Sequence, residues 1–191
     1  MVTDMGISRQ RGLTLIELLV SILIISLGLL GLAKLQARMQ LSEMESYQRA
    51  QALLLLNDMS SRMTANPNNS EQYAAAAPVN APVGVGNCPT TSGTRQQADI
   101  ADWCSSLEGA AEVGGGNVKA GAMLGGRGCI QSLGSGQYLI TVAWQGLSPI
   151  SAPSSGVACG QSDYDGASVG SECKDDLCRR VVTTVVRVAT L

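Results

Sequence analysis

The sequence predicts an α+β protein in which a long amino-terminal helix packs on a small antiparallel sheet and disulfides staple the loops. One half of this helix is predicted to span a membrane and the other half to be amphipathic. Three observations support this fold class: an apolar run starts at Leu13 and continues into a stretch without Pro or Gly, two β-branched segments lie towards the carboxyl end, and all six cysteines lie between residues 88 and 178 of the 191.

The apolar run covers residues 13–33 (LTLIELLVSILIISLGLLGLA) and contains one charged residue, Glu17. At about 1.5 Å per residue, a helix of this length spans roughly 30 Å, the thickness of the hydrocarbon layer of a membrane. A secretory signal would have a shorter apolar core and a small-residue cleavage site after it, which KLQARMQLSEME does not provide. Arg9 and Arg11 make the preceding segment basic, so the amino terminus is predicted to stay cytoplasmic and the rest to cross the membrane.

Glu17 is the feature of this run that a plain, uncleaved membrane anchor does not explain. A carboxylate near the end of a membrane helix costs about a few kcal/mol unless it finds a partner. A cation at a similar depth would offset that cost, because opposite charges in an apolar setting neutralise each other. The sequence therefore predicts a functional contact between Glu17 and a positive charge.

The residues around Glu17 resemble a known signal. Gly12 followed by Leu13–Glu17 (LTLIE) is similar to the class III signal of type IV pilins. The resemblance implies that residues 1–12 are a prepilin leader, which a prepilin peptidase in the inner membrane removes by cutting between Gly12 and Leu13. It also implies N-methylation of Leu13, where these pilins usually have Phe, and pairing of Glu17 with the amino terminus of a neighbouring subunit during fibre assembly.

The helix is predicted to continue past the membrane half, residues 13–34, into an amphipathic half, residues 35–66. It should end at Asn66-Pro67, because proline cannot continue a helix. The residues predicted to form one apolar face are Leu35, Met39, Met44, Tyr47, Leu54, Leu55, Met59 and Met63. The resemblance implies a pilin fold, with residues 67–191 as a periplasmic headpiece.

Within the headpiece, residues 66–100 are rich in Asn, Ala, Pro and Gly and are predicted to be an irregular connection. Residues 98–111 are predicted to form a short helix with Trp103 and Leu107 facing inward.

Two segments are predicted to be strands, Gln137–Gln145 and Arg180–Leu191, because both are rich in β-branched residues. Side chains alternate between the two faces of a strand. In the second segment this places Val182, Val186 and Val188 on one face and Thr183 and Arg187 on the other.

The even number of cysteines and the absence of a C-x-x-C pair favour disulfides over a zinc site, and hence an oxidising compartment. The six residues are Cys88, Cys104, Cys129, Cys159, Cys173 and Cys178. They allow 15 connectivities, which the sequence does not resolve. The short loop between Cys173 and Cys178 makes that pair the favoured single prediction.

Between Cys159 and Cys173, the spacing of Asp163, Asp165 and Glu172 is similar to that of an EF-hand calcium loop. Gln161 occupies the first position, where Asp is usual, and no helical pattern flanks the loop. A disulfide-bounded turn with solvated acids is therefore the favoured interpretation, calcium is the minor alternative, and no other cofactor is expected.

Composition argues against several classes of function. The chain has no histidine, the commonest general base, and its acidic pairs lack a basic or apolar setting, so no catalytic residue and no enzymatic activity are predicted. The net charge of −2 and the absence of a basic tract predict no nucleic-acid binding.

A second resemblance lies at Ile25–Gln36 (ISLGLLGLAKLQ) and Ala52–Pro67 (ALLLLNDMSSRMTANP). These runs are similar to those of minor pilins called type IV pilus modification proteins, or PilV. The resemblance implies other minor pilins, the major pilin and a tip adhesin as partners, in a complex that primes pilus assembly and serves adhesion or twitching motility. Two alternatives stay open: a minor pseudopilin of a type II secretion system, and a membrane-anchored periplasmic binding module.

Overall fold

The structure, a computed structural model, describes residues 14–90, 93–109 and 123–189. Its elements in chain order are α1 Leu15–Ala65, a 3-10 turn Pro67–Asn69, α2 Ser70–Ala76, β1 Val83–Gly84, α3 Arg95–Leu107, β2 Arg127–Gly134, β3 Gln137–Gln145 and β4 Arg179–Arg187. A long helix, a small antiparallel sheet and three disulfides confirm the predicted α+β class. The chain divides into two compact units, one ending at Glu43 and the other starting at Met44.

In the first unit, the described residues form the amino-terminal part of α1. Every apolar side chain from Leu15 to Leu41 is exposed. By length and composition, α1 contains a segment that is apolar enough to cross a membrane. A surface this apolar needs lipid or other protein around it, because soluble monomers rarely expose large apolar patches.

In the second unit, the last part of α1 buries a face made of Gln48, Ala52, Leu56, Met59 and Met63. This face differs in part from the predicted one. Met59 and Met63 are buried as expected, but Met44, Tyr47 and Leu54 are exposed. The apolar residues here form two stripes, of which only one meets the core, and periodicity alone did not separate them.

The prediction of an irregular connection over residues 66–100 was wrong in part. The 3-10 turn, α2 and β1 lie inside it, and α3 begins at Arg95. The side chain of Tyr73 on α2 is fully buried, which anchors this short helix to the core. Tertiary burial therefore orders a segment whose local composition favours loops.

Helix α3 covers Arg95–Leu107, starting and ending earlier than the predicted 98–111. Thr94 caps its first turn, and the Gln97 side chain completes a capping box, a start signal that the sequence analysis overlooked. Trp103 and Leu107 are buried as predicted. Residues 110 and 111 of the predicted helix lie outside the described residues.

The sheet has the order β1-β2-β3-β4, and every neighbouring pair is antiparallel. Strand β3 has the predicted bounds. Strand β4 ends at Arg187, earlier than predicted, and the last two residues lie outside the described part. Strand β2 was not predicted, because its sequence RGCIQSLG lacks a β-branched run. Ser135 and Gly136, both with positive φ, turn the chain between β2 and β3.

The core lies on the face of the sheet that carries the even-numbered side chains of β3 and β4, including Ile140, Val142 and Val182. Val186 and Val188 are buried there, while Thr183 and Arg187 are exposed, as predicted. A second, smaller cluster covers part of the opposite face and consists of Cys129, Ala143, Cys159 and Tyr164.

Candidate functional site

Glu17 lies in the first turn of α1 and is exposed. Its backbone N–H donates to the Thr14 carbonyl (3.0 Å), and its own carbonyl accepts from the Ser21 hydroxyl (2.7 Å). Within the described residues, its carboxylate has no hydrogen bond or ion pair. Gly12 and Leu13, the predicted cleavage and methylation site, lie outside the described residues.

The position of Glu17 suits the binding of a cation. The first turn of a helix carries partial positive charge, which stabilises a carboxylate there by about 0.3–1 kcal/mol. That is less than the cost of about a few kcal/mol for placing a carboxylate in an apolar layer. The helix end alone would not offset the burial of Glu17 in such a layer, so a carboxylate placed there would need a nearby cation.

A second glutamate of α1, Glu45, is held inside the second unit. Its Oε1 accepts from the Arg180 guanidinium of β4 (3.1 Å) and from the backbone N–H of Leu147 (3.1 Å). Arg180 also donates to the Ser148 carbonyl (2.6 Å). These contacts fix α1 to the start of β4 and to the loop after β3. No local sequence pattern predicts these contacts, because the two charges are 135 residues apart in the chain.

A polar cluster joins the carboxyl end of α1 to α2 and α3. Arg62 donates to Asp58 (2.8 Å) and to Asp99 (3.1 Å). The buried Tyr73 hydroxyl donates to the other oxygen of Asp99 and accepts from Asn66 (3.2 Å). Burial, together with the hydrogen bond to Asp99, raises the pKa of Tyr73 to about 12.

The structure forms three disulfides: Cys88–Cys104, Cys129–Cys159 and Cys173–Cys178. The last of these is the pairing that the sequence analysis favoured. The first attaches α3 to the segment after β1, and the second fixes the long loop between β3 and β4 to β2. The headpiece loops are therefore fastened to helix and sheet, as a small core requires.

The loop between β3 and β4 is organised around a buried arginine, Arg179. Its guanidinium donates to the Val157 carbonyl (2.7 Å), the Cys159 carbonyl (3.1 Å) and the Asp176 carboxylate (3.1 Å). Asp176 in turn accepts from the backbone N–H of Ser162 (2.8 Å). No local pattern predicts that this arginine is buried, because its partners come from loop residues outside the strand.

The same loop carries the three acids of the calcium hypothesis. Asp163 pairs with Arg127 (3.0 Å), and Asp165 accepts from the backbone N–H of Asp176 (2.9 Å). Glu172 is exposed. Within the described residues, no three acidic, cysteine or histidine side chains form a group that could hold a metal. Calcium binding stays the minor alternative to a disulfide-bounded turn, and calorimetric titration with calcium would test it; no heat of binding would end it.

Residues 7–33 match the prokaryotic N-terminal methylation motif. No curated protein and no solved structure matches the chain significantly. The motif contains Gly12, Leu13 and Glu17, and its residues 15–33 form much of the exposed apolar surface of α1. Together with the long helix, the four-stranded sheet and the three disulfides, it supports a pilin-type protein with a structural role, anchored in a membrane by its amino-terminal helix. The motif fits both a type IV pilin-like protein and a pseudopilin, and it implies partners in the assembly of a fibre.

Proposed function

We propose that this protein is a minor pilin of a type IV pilus, of the kind that includes the type IV pilus modification proteins. It would join other minor pilins in a complex that primes pilus assembly, lies at the pilus tip and presents an adhesin. The observation that carries the proposal is the placement of Glu17. It stands five residues after Gly12 within the matched methylation motif, exposed in the first turn of an apolar helix.

The contacts of Ala52–Pro67 support the minor-pilin assignment over a plain anchor. Met59 and Met63 of this run are buried in the core, and Arg62 binds Asp58 and Asp99. The run that is similar to minor-pilin sequences therefore contains residues that attach α1 to the rest of its unit.

In the proposed mechanism, cleavage after Gly12 gives Leu13 a free amino group at the start of the helix. In the assembled fibre, the corresponding amino-terminal cation of a neighbouring subunit lies against the Glu17 carboxylate of this chain. Because both charges sit in an apolar layer, each offsets the cost of burying the other. The protein leaves the inner membrane only as this pair forms.

Mass spectrometry of the mature protein tests the processing step. We expect a chain that begins at N-methylated Leu13. A mature protein that still begins at Met1 would refute the proposal and favour an uncleaved anchor.

Substitution of Glu17 tests the assembly step. We expect Glu17→Ala and Glu17→Gln to be cleaved normally but to be depleted from sheared filaments, because neither variant can neutralise the incoming amino group. Glu17→Asp keeps the charge and serves as the matched control, with partial incorporation expected. Wild-type incorporation of Glu17→Gln would contradict the assigned role.

A pseudopilin of a secretion system would show the same processing and the same dependence on Glu17. The neighbouring genes distinguish the two hypotheses: pilus genes would favour a minor pilin, and secretion genes would favour a pseudopilin. Deletion of the gene also distinguishes them: loss of surface pili would favour a minor pilin, and loss of protein secretion would favour a pseudopilin. Secretion loss with normal piliation would replace the minor-pilin proposal by the pseudopilin alternative.

A further inference from the structure

The two edges of the sheet are protected very differently. Strand β1 forms one edge and is only two residues long, Val83–Gly84. Strand β4 forms the other edge, is nine residues long, and pairs with β3 without a bulge from Arg179 to Arg187. Natural proteins usually blunt a long edge with lysine, proline or a bulge, because its free backbone groups recruit other strands. The central residues of β4, VVTTVV, contain none of these.

The hydrogen bonds at both ends of β4 show which backbone groups face outward. The N–H of Val188 donates to the Gly136 carbonyl (2.8 Å), and the N–H of Gly146 donates to the Cys178 carbonyl (2.7 Å). In an antiparallel pair these bonds recur at every second residue. The even-numbered residues of β4 therefore bond to β3, and the N–H and C=O groups of Val181, Thr183, Val185 and Arg187 point away from it.

These outward groups are unpaired in the described part of the chain, where no loop or side chain bonds to them. The side chains nearby also leave apolar surface open. Val185 is 54% exposed and lies beside Leu139 of β3, which is only partly buried. The loop between β3 and β4 covers only the other half of this face, around Tyr164 and Val181.

A second copy of this chain is a poor occupant of the edge. If two β4 strands paired antiparallel over their full length, Arg187 of each copy would lie opposite Arg179 of the other. Arg179 is already paired with Asp176, but the exposed Arg187 would find no acidic partner on the second β4 strand. Strand β4 contains no acidic residue, so the edge suits a segment that brings one.

We propose that the open edge of β4 binds an extended segment of a different protein, which adds a fifth strand to the sheet. Its backbone pairs with Val181, Thr183 and Val185, its alternate apolar side chains cover Val185 and Leu139, and an acidic residue near one end pairs with Arg187. In this mode main-chain hydrogen bonds supply affinity, and the alternate side chains supply specificity. The proposal rests on the proposed function in one respect: the partner is taken to be another component of the pilus tip.

Site-specific photo-crosslinking in cells that assemble the pilus tests the proposal, using the full-length chain. A photoreactive phenylalanine analogue replaces Thr183 or Val185 in turn. The matched control position is Val169, which is 95% exposed in the loop between β3 and β4. We expect both edge positions, and not the control, to crosslink to one segment of one partner at sites two residues apart. Crosslinking no stronger than at Val169, or to scattered sites, would overturn the proposal.

A backbone variant tests the role of the outward N–H groups. Val185→Pro removes one of these donors without touching a bond to β3, a substitution that edge strands tolerate. Val185→Thr keeps the donor and the β-branched shape. With the photoreactive residue at position 183, we expect loss of the crosslink in the proline variant and retention in the threonine variant. Equal crosslinking in both would contradict strand addition.

Amide hydrogen exchange gives a readout that needs no variant. In the isolated full-length chain in detergent, the amides of Thr183 and Val185 should exchange faster than those of Val182 and Thr184. In the assembled complex all four should be protected, and unchanged exchange at the two odd positions would overturn the proposal. A mature protein that retains Met1 would refute the pilin function instead. The crosslinking result would then still show whether a strand binds to the edge of β4.

Discussion

At the scale of single residues, two glutamates on one helix show how surroundings decide a role. Glu45 has an arginine and a backbone N–H as partners in its own unit. Glu17 is exposed on an apolar surface, and the described residues supply no cation for its carboxylate. Because an uncompensated carboxylate in an apolar layer is costly, we propose that Glu17 takes its partner from another chain.

Within the polar cluster, we expect substitution of Tyr73 to lower the stability of the protein most. Its side chain is fully buried, and its hydroxyl both donates to Asp99 and accepts from Asn66. We expect Tyr73→Phe to lower the free energy of unfolding by about 2 kcal/mol, because Asp99 loses a hydrogen bond to its charge. Urea denaturation at pH 7 measures this loss. No change in stability would mean that the hydroxyl contributes nothing net.

The same residue predicts a dependence on pH. The pKa of Tyr73 is raised to about 12 in the folded protein, from about 10 in an unfolded chain. Its contribution is therefore fully present below pH 10 and is lost as the pH rises through 12. We expect the stability difference between wild type and Tyr73→Phe to shrink across this range. A constant difference up to pH 12 would contradict the raised pKa.

At the scale of elements, the contact between α3 and β2 depends on a residue without a side chain. A Cβ added to Gly128 would lie 2.2 Å from Cη2 of Trp103 and 2.8 Å from Cδ1 of Leu107. Trp103 is also tied to α1, since its indole N–H donates to the Leu55 carbonyl (2.9 Å). Helix α3 therefore packs against both α1 and the sheet through one tryptophan, and Gly128 provides the space.

We expect Gly128→Ala to destabilise the headpiece by about 1–3 kcal/mol, the usual cost of overpacking a core. Thermal unfolding followed by near-UV circular dichroism, to which Trp103 and Trp144 both contribute, would measure it. Gly170→Ala is the matched control, because a Cβ there meets nothing within 4 Å. A variant as stable as this control would show that Trp103 can shift without cost.

At the scale of the whole molecule, stability rests on crosslinks as well as on the core. The Cys129–Cys159 disulfide closes a loop with a sequence separation of 30, and Cys173–Cys178 closes one of 5. The first thus joins parts of the chain that are far apart, whereas the second reinforces a local turn. Loss of the first should matter more, because a longer loop restricts the unfolded chain more strongly.

We expect replacement of both Cys129 and Cys159 by Ala to cost about 3.5 kcal/mol through loop closure alone, and replacement of both Cys173 and Cys178 to cost about 2 kcal/mol. Chemical denaturation of the two double variants compares them directly. The second variant serves as the control for removing a disulfide as such. Equal losses, or the reverse order, would contradict the loop-closure account.

Much of the fold and of the candidate site could be predicted because the signals are local. The apolar run, the helix end at Ala65 before Pro67 and strand Gln137–Gln145 follow from periodicity and residue type within a short window. Strand β2 could not be predicted in this way. It forms because β3 offers a partner along Arg127–Gly134, and its own residues have little preference for a strand.

The sequence by itself determined the membrane-spanning helix, the position of Glu17 within a methylation motif and the use of cysteines as disulfides. Each of these depends on the composition or spacing of neighbouring residues. Only the tertiary structure decided how Cys88, Cys104, Cys129 and Cys159 pair, which stripe of α1 meets the core, that Arg179 is buried, and that β4 is an open edge. The physical reason is distance along the chain: Glu45 and Arg180 are 135 residues apart, and no local pattern encodes a contact that folding alone creates.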